Sequence, residues 1–422
     1  MNMAFTNLER SINSERLLKR LKELGRIGLD NDNKRTRLAA SDADKAGRDQ
    51  LVTWMKEAGL EVEIDRIGNI FGIWYSNENR NEAPILLGSH IDTVINAGMY
   101  DGCYGVLSGL EVINTLQETG FIPTRPIAVA AFTNEEGVRY QPDMMGSLVY
   151  AGGLSADDAL AQVGTDGTIL GEELKRIGYA GTKESGFLKP HAYIELHIEQ
   201  GPILDKKGIP IGAVENLQGI SWQRITIEGV ANHAGTTPTG MRRDAGLVAA
   251  RVITYLRDRA NASNGQTVAT VGTISYKPNA VNVIPSLATF TVDLRDPNEQ
   301  RLKEEEQALA NYLKELAASE EVSITSEQLV SCQPVTFAET IVKLVEQASS
   351  GRGLQSRRMT SGAGHDAQML ARVCPTAMIF VPSIDGISHN PKEYTKDTDL
   401  TAGTNVLLDV VSKLAGNQGG SY

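Results

Sequence analysis

The sequence predicts an α/β protein with a mixed central sheet, helices on both faces, and a smaller α+β domain inserted into it. Three observations carry that prediction. Apolar runs of strand length recur at 83–87, 126–132, 193–198 and 376–381, too continuous for a half-exposed sheet and suited to strands buried on both faces. Segments of helical periodicity lie between them, the alternation expected of βαβ units. Near residue 213 the pattern changes to β-branched alternation with two helical stretches, and it reverts near 330. The expected domains are therefore 1–212 joined with 330–422, and an inserted 213–329.

The elements follow in chain order. Leu8, Ile12, Leu17, Leu18, Leu21 and Leu24 recur at helical spacing and predict a surface helix within 7–28, followed by an Asp/Asn/Gly loop. Ser41 precedes a second helix running to Leu60, with Asp42 and Asp44 in the first turn, where the unpaired N–H groups favour carboxylates. Strands are expected over 62–65, 70–75 and 83–87, the last running into Gly88, Ser89 and His90. A helix over 105–116, a strand over 126–132, amphipathic helices within 154–178 and a strand over 193–198 complete the first part. The inserted region offers strands over 219–228 and within 268–294, and helices over 244–259 and 298–318. A helix over 338–349, a strand near 376–381 and a last helix over 400–415 then restore the α/β rhythm.

Composition limits the classes of function. Lys and Arg number 41 against 52 Asp and Glu, a net charge of −11, so no nucleic-acid partner is expected, because phosphates need basic neutralising surface. No run of 18 uncharged apolar residues occurs, and no membrane span is expected. The opening MNMAFTNLER lacks the apolar core of a secretory signal. Three cysteines without CxxC spacing, Cys103, Cys332 and Cys374, fit a reducing compartment, and a cytoplasmic location is expected.

The candidate chemistry gathers at the ends of the buried strands. His90 ends one of them and Asp92 shares its face two residues on. An imidazole ligand commonly hands its second N–H to a carboxylate, though a hydrogen-bonded structural histidine fits the same motif. Asp101 stands in the turn Gly98-Met-Tyr-Asp-Gly102, where a carboxylate can bridge two cations or simply close the turn. Glu135 and Glu136 follow the strand 127–132, at the edge where open α/β sheets bind ligands. One can ligate a cation while its neighbour takes a proton from water; a solvated acidic turn is the other reading. Glu195, His197 and Glu199 share one face opposite Ile194, Leu196 and Ile198, and His389 follows the strand 377–381. Together His90, Asp101, Glu136, His197 and His389 are five nitrogen and oxygen donors at or beyond strand ends. Two divalent ions could share them through Asp101, each with room for water.

In their order, Gly88-Ser-His-Ile-Asp-Thr93, Tyr100-Asp-Gly102, Thr133-Asn-Glu-Glu-Gly137, Glu195-Leu-His-Ile-Glu-Gln-Gly-Pro202, His233-Ala-Gly235, Asn282-Val-Ile-Pro285, Asp293-Leu-Arg295, Ser361-Gly-Ala-Gly-His-Asp-Ala367 and Ser388-His389 resemble the motifs of the hydantoinase/carbamoylase amidases. That branch of the dinuclear metallo-aminopeptidase superfamily includes N-carbamoyl-L-amino-acid hydrolases, yeast-type β-ureidopropionases and allantoate amidohydrolases. The resemblance runs from about residue 10 to the C-terminus. It implies a metallo-aminopeptidase-like catalytic domain, with His90, Asp101 and His197 around one ion and Asp101, Glu136 and His389 around the other. It gives Glu135 the role of general base and Asp92 that of support for a ligand. His197 discriminates within the superfamily, because aminopeptidase-type relatives generally carry a carboxylate there.

The resemblance also implies that His233, in the inserted lid, stabilises the tetrahedral oxyanion, commonly in the other subunit of a homodimer. Gln200, Asn282, Arg295 and the segment Gly362, Ala363 and His365 match substrate contacts. A guanidinium suits a planar carboxylate through paired hydrogen bonds; pairing of Arg295 with Asp293 or Asp296 is the alternative. Cys103 with Tyr104, and Met241 set apart from Pro238, depart from the family's usual pattern and bear on the shape of the pocket. The implied reaction is metal-dependent hydrolysis of the carbamoyl C–N bond of a small ureido acid, giving an amino acid, ammonia and carbon dioxide. Zinc, manganese, cobalt and nickel all suit such donors. N-carbamoyl-L-α-amino acids, N-carbamoyl-β-alanine and allantoate each present a carboxylate beside a ureido group. The competing readings are a peptidase or N-acyl amino-acid deacylase on the same donors, and a catalytically silent binding homologue. The silent form would be expected to lose a ligand or the base, and the sequence retains them all.

Overall fold

The computed structural model describes residues 10–76 and 78–416. The chain divides into two compact units, one built from the chain up to Glu215 and again from Phe337, the other from Asn216–Thr336. In chain order the strands are β1 (Glu61–Ile64), β2 (Ile70–Trp74), β3 (Ile85–His90), β4 (Ile127–Phe132), β5 (Ala192–Ile198), β6 (Ile211–Leu217), β7 (Gly219–Glu228), β8 (Val268–Thr270), β9 (Ile274–Lys277), β10 (Leu287–Asp296), β11 (Ser323–Cys332), β12 (Val335–Thr336), β13 (Ser356–Ser361) and β14 (Thr376–Val381). The expected boundaries at 213 and 329 therefore move. Gly212–Val214 pair with β14 and stay with the first unit, whereas β11 pairs along β7 and stays with the second.

The sheet of the first unit has the order β1-β2-β4-β3-β5-β14-β6, with β13 also beside β6. Its centre is parallel, β4 to β3, β3 to β5 and β5 to β14; the β1–β2, β2–β4 and β14–β6 pairs are antiparallel. The sheet is thus mixed, and β3, β4, β5 and β14 are buried along their whole length, as their apolar runs require. Helices flank it. Ser14–Arg26 is capped by Asn13, and Asp42–Glu57 by Ser41, whose hydroxyl accepts the Asp44 N–H at 3.1 Å. Residues 7–9 of the first expected helix lie outside the described residues. Cys103–Glu118 is buried over most of its length and packs on β3. β13 escapes sequence detection because it reads Ser-Arg-Arg-Met-Thr-Ser; its Arg358 is held at the surface by Glu339 and Glu346.

The second unit is an antiparallel sheet of order β11-β7-β10-β8, with β9 also on β10. Strict alternation along β7 and β10 places Ile225, Ile227, Phe290 and Val292 on one face. They form one core with Val248 and Val252 of the helix Ala245–Ala262 and Leu309 and Leu313 of the helix Glu299–Ser319. Among the described residues no helix is long and apolar enough to cross a membrane. No disulfide joins Cys103, Cys332 or Cys374.

One glycine fixes how β3 meets β4. Gly88 has φ +145°, and a Cβ there would lie 2.2 Å from the Ala130 carbonyl oxygen. Gly88→Ala should cost about 3 kcal/mol of stability. A chemical-denaturation midpoint equal to that of the unsubstituted protein would show that the strand relaxes around the added carbon.

Candidate metal centre

The four parallel strands end at one edge of the first unit's sheet, the edge where open α/β sheets bind ligands. His90 is the last residue of β3, Glu135 and Glu136 lie just past β4, His197 is near the end of β5, and His389 follows β14. Asp101 reaches the same place from the turn before Cys103–Glu118. Its carboxylate is divided between two groups of donors. Oδ1 lies 3.2 Å from His197 Nε2 and 3.6 Å from His90 Nε2, while Oδ2 lies 3.1 Å from His389 Nε2. Glu136 stands 3.5 Å from His389, and Glu135 3.4 Å from His90 Nε2. His90, Asp101 and His197 form one set within ligand distance, and Asp101, Glu136 and His389 another.

Backbone carbonyls orient the two buried imidazoles. His90 Nδ1 is 3.0 Å from the Asp92 carbonyl oxygen and His197 Nδ1 is 2.9 Å from that of Ile198. Each ring therefore turns Nε2 toward the donors, the arrangement typical of ligating histidines. Asp92 supports the site differently from the expectation. Its carboxylate is 3.9 Å from His90 Nδ1 and instead accepts the N–H groups of Glu135 at 3.2 Å and Glu136 at 3.3 Å. Of the three groups expected to share a face on β5, only His197 meets both Asp101 and His90. Glu195 is buried beneath, accepting from Ser89, Tyr193 and the Ala367 N–H. Glu199 caps the helix Ile203–Lys207 through the N–H groups of Ile203 and Leu204.

The electrostatics favour a cation. Among the described residues, the ion-pair partners of Asp101, Glu135 and Glu136 are all histidines. Burial pushes the Glu135 carboxyl well up, helped by Asp366 and Glu136, and burial with Asp101 raises Glu136 to about 8. Asp101 is held far below the usual carboxylate range, because hydrogen bonds from three histidines outweigh its burial. The Asp101 contact raises His389 to about 9. His90 and His197 are also raised, since nearby carboxylates outweigh burial. Crowded carboxylates and imidazoles that retain protons are what a divalent ion relieves, so the donor set fits a metal.

Other expected residues surround these donors. Gln200, Ala363 and His365 line a cavity of about 160 Å³ with Asp101, Glu135 and Glu136. Gln200 gives its amide N–H to Asp101 Oδ2 at 2.9 Å and leaves its oxygen unpartnered. His365 stacks edge-on against His197, its Nε2 without a partner, and burial lowers it well below the usual histidine range. Gly362 precedes the lining residues. Cys103 and Tyr104 do not shape this cavity. Cys103 is buried against Arg37, and the Tyr104 hydroxyl donates to the Leu400 carbonyl at 2.7 Å.

Four positioning residues went unseen in the sequence. Arg37, buried completely, donates to the Ile91 carbonyl between His90 and Asp92. Arg35 donates to the Gly98 carbonyl before Asp101. Arg48 binds the Gly68 carbonyl and the Thr133 hydroxyl. Glu393 accepts the Tyr100 and Asp101 N–H groups. Lys-Arg-Thr-Arg reads as a solvated loop, and Glu393, in Asn390-Pro-Lys-Glu393, reads as part of a solvated turn.

In the second unit, His233 and Asn282 lie on paired segments: Ala234 N–H donates to the Asn282 carbonyl at 2.9 Å, and His233 bridges to Val283. His233 Nδ1 accepts N–H groups from Gly235 at 3.0 Å and Thr236 at 3.2 Å, which leaves the ring proton on Nε2. Arg295 Nη2 lies 2.9 Å from Asp293 Oδ2. It lies at the other end of β10, about 27 Å from Leu287 at the rise of an antiparallel strand.

Residues 86–413 match the family described as peptidase family M20/M25/M40. The chain belongs to this family. Within the M20 relatives, it is 38% identical over 410 residues to N-carbamoyl-L-amino acid amidohydrolase of Geobacillus stearothermophilus, covering 96% of this chain and 99% of that one. It is 35% identical over 396 residues to allantoate amidohydrolase of Escherichia coli K12, covering 93% and 96%. The crystal structure of an amidase of the hydantoinase/carbamoylase family from Burkholderia multivorans superposes with a TM-score of 0.93 at 42% identity, covering 96% and 98%. The hydantoinase/carbamoylase resemblance of the motifs thus holds over nearly the whole chain.

Because His389 titrates at about 9 and Glu136 at about 8, both hold protons near neutral pH that a cation must displace. Divalent-ion affinity should therefore rise with pH up to about 9, with protons released on binding. Calorimetry in buffers of different ionisation enthalpy measures this; a heat independent of buffer would contradict it.

Proposed function

We propose that this M20 chain hydrolyses the carbamoyl C–N bond of a small ureido acid, with N-carbamoyl-L-α-amino acids as the first substrate class and allantoate as the second. The observation that carries the reading is the Asp101 carboxylate, which divides its oxygens between two sets of donors beside Glu135. The similarity to N-carbamoyl-L-amino acid amidohydrolase over nearly the full length supports the substrate class. Two ions of the zinc, manganese, cobalt or nickel type suit the donors, and when bound they supply Lewis-acid polarisation of the carbonyl and lower the pKa of water.

The chain's own residues perform the proton transfers. Glu135 takes a proton from the attacking water as the oxygen bonds to the carbamoyl carbon, then returns it to the departing amino-acid nitrogen. The C–N bond breaks, and the released carbamate falls to ammonia and carbon dioxide. The unpartnered Gln200 oxygen is an acceptor for a ureido N–H. His233 Nε2–H is a donor suited to the developing oxyanion.

Arg295 and Leu287, the end of β10 that follows the Asn282 loop, stand about 27 Å apart, farther than one small substrate spans. That separation supports a homodimer in which Arg295 of one copy and His233 with Asn282 of the other meet one substrate.

Metal-reconstituted protein should release ammonia fastest from N-carbamoyl-L-α-amino acids among these, N-carbamoyl-β-alanine and allantoate; no release from any would reject the reading. Glu135→Gln should lower turnover about 10²–10⁴-fold with metal content intact, and metal loss would reassign the ligand. Inactive His233→Ala and Glu135→Gln chains, mixed and reassociated, should recover about a quarter of full activity if sites are shared between two copies. Continued silence of the mixture would place His233 in the site of its own chain.

A further inference from the structure

We propose that Glu393 is a positioning residue that locks the Asp101 turn to the His389 loop, so that one carboxylate can serve both sets of donors. The inference rests on reading those donors as metal ligands. Glu393 is 7% exposed. Its Oε1 accepts the N–H groups of Tyr100 at 2.9 Å and Asp101 at 3.3 Å, and its Oε2 lies 3.0 Å from the Ser388 hydroxyl. That hydroxyl is also 3.2 Å from Asp101 Oδ2. Glu393 therefore touches the backbone that carries Asp101 and the residue before His389. The turn closes directly over it: a Cβ on Gly98 would lie 2.2 Å from the Glu393 carboxyl. Arg35 grips the same turn by its Gly98 carbonyl, so one charged group holds the carbonyl side and the other the N–H side.

His90 and His197 do not need this lock, because β3 and β5 hold their backbones. Asp101 and His389 sit in loops, and His389 has φ +52° and a half-exposed side chain. Loss of Glu393 should therefore fall hardest on the ion held by Asp101, Glu136 and His389; the other set shares Asp101 but keeps two strand-held histidines, and should lose less. Ligand-supporting residues of this kind change metal affinity by about 10–100-fold.

The test is competitive titration of metal-free, full-length protein with Zn²⁺ against a chelating dye, with bound metal counted after dialysis. The unsubstituted chain should take two ions. Glu393→Ala should weaken the second by at least about tenfold and leave the first within about threefold. Glu393→Gln keeps an oxygen for the two N–H groups and should restore most of the second affinity, a rescue that general loosening of the fold would not give. Ser388→Ala, which leaves the turn's N–H partners in place, should weaken the second ion by less than Glu393→Ala, and it carries the test if the latter fails to fold. Unchanged affinity for both ions in Glu393→Ala, or in Ser388→Ala where that variant carries the test, overturns the proposal while the two-ion reading stands. An unsubstituted chain that binds no ion overturns both.

Discussion

Three carboxylates held in one buried place, with histidines as their only ion-pair partners among the described residues, are the constraint on which this structure turns. Asp101, Glu135 and Glu136 repel one another, and burial raises the cost. Imidazoles of His90, His197 and His389 stand within 3.6 Å of the Asp101 carboxylate and offset part of that cost. Such an arrangement is poised to exchange protons for cations. It also explains why the donors sit where they do: β3, β4, β5 and β14 run parallel, and their carboxyl ends converge from four separate stretches of sequence on one edge.

Convergence alone does not aim a side chain. The aiming is done by main-chain contacts with buried charged residues around the rim. Arg37 holds the carbonyl of Ile91, Arg35 that of Gly98, and Arg48 spans Gly68 and Thr133. Asp92 holds the Glu135 and Glu136 N–H groups from the opposite polarity. A guanidinium directed at carbonyls gives several fixed donors from one side chain, which suits loops that would otherwise leave their polar backbone unpaired. The two glutamates thus leave β4 with their backbone fixed before any ligand arrives.

Most donors were legible in the sequence because each follows an apolar run whose length and continuity mark a buried strand. The central strands and the inserted unit's alternation were legible for the same reason. What escaped was polar at face value. Lys-Arg-Thr-Arg looks solvated, yet Arg37 is completely buried. β13 carries two adjacent arginines and half-buried positions, so no apolar period announces it. Asp92 was visible as a partner of the site, but a one-dimensional spacing cannot separate its carbonyl, which meets His90, from its carboxylate, which meets the next strand's loop.

The stretch matched by the family begins at Leu86, and every donor of the centre lies within it. Arg35, Arg37 and Arg48 do not. They reach the ligand-bearing loops from the part of the same compact unit that precedes it, and that part works as a jig, shaping a centre to which it contributes no donor. A centre assembled this way is not portable. Grafting its strands and donors onto another scaffold would transfer the composition of the site and leave its aim behind.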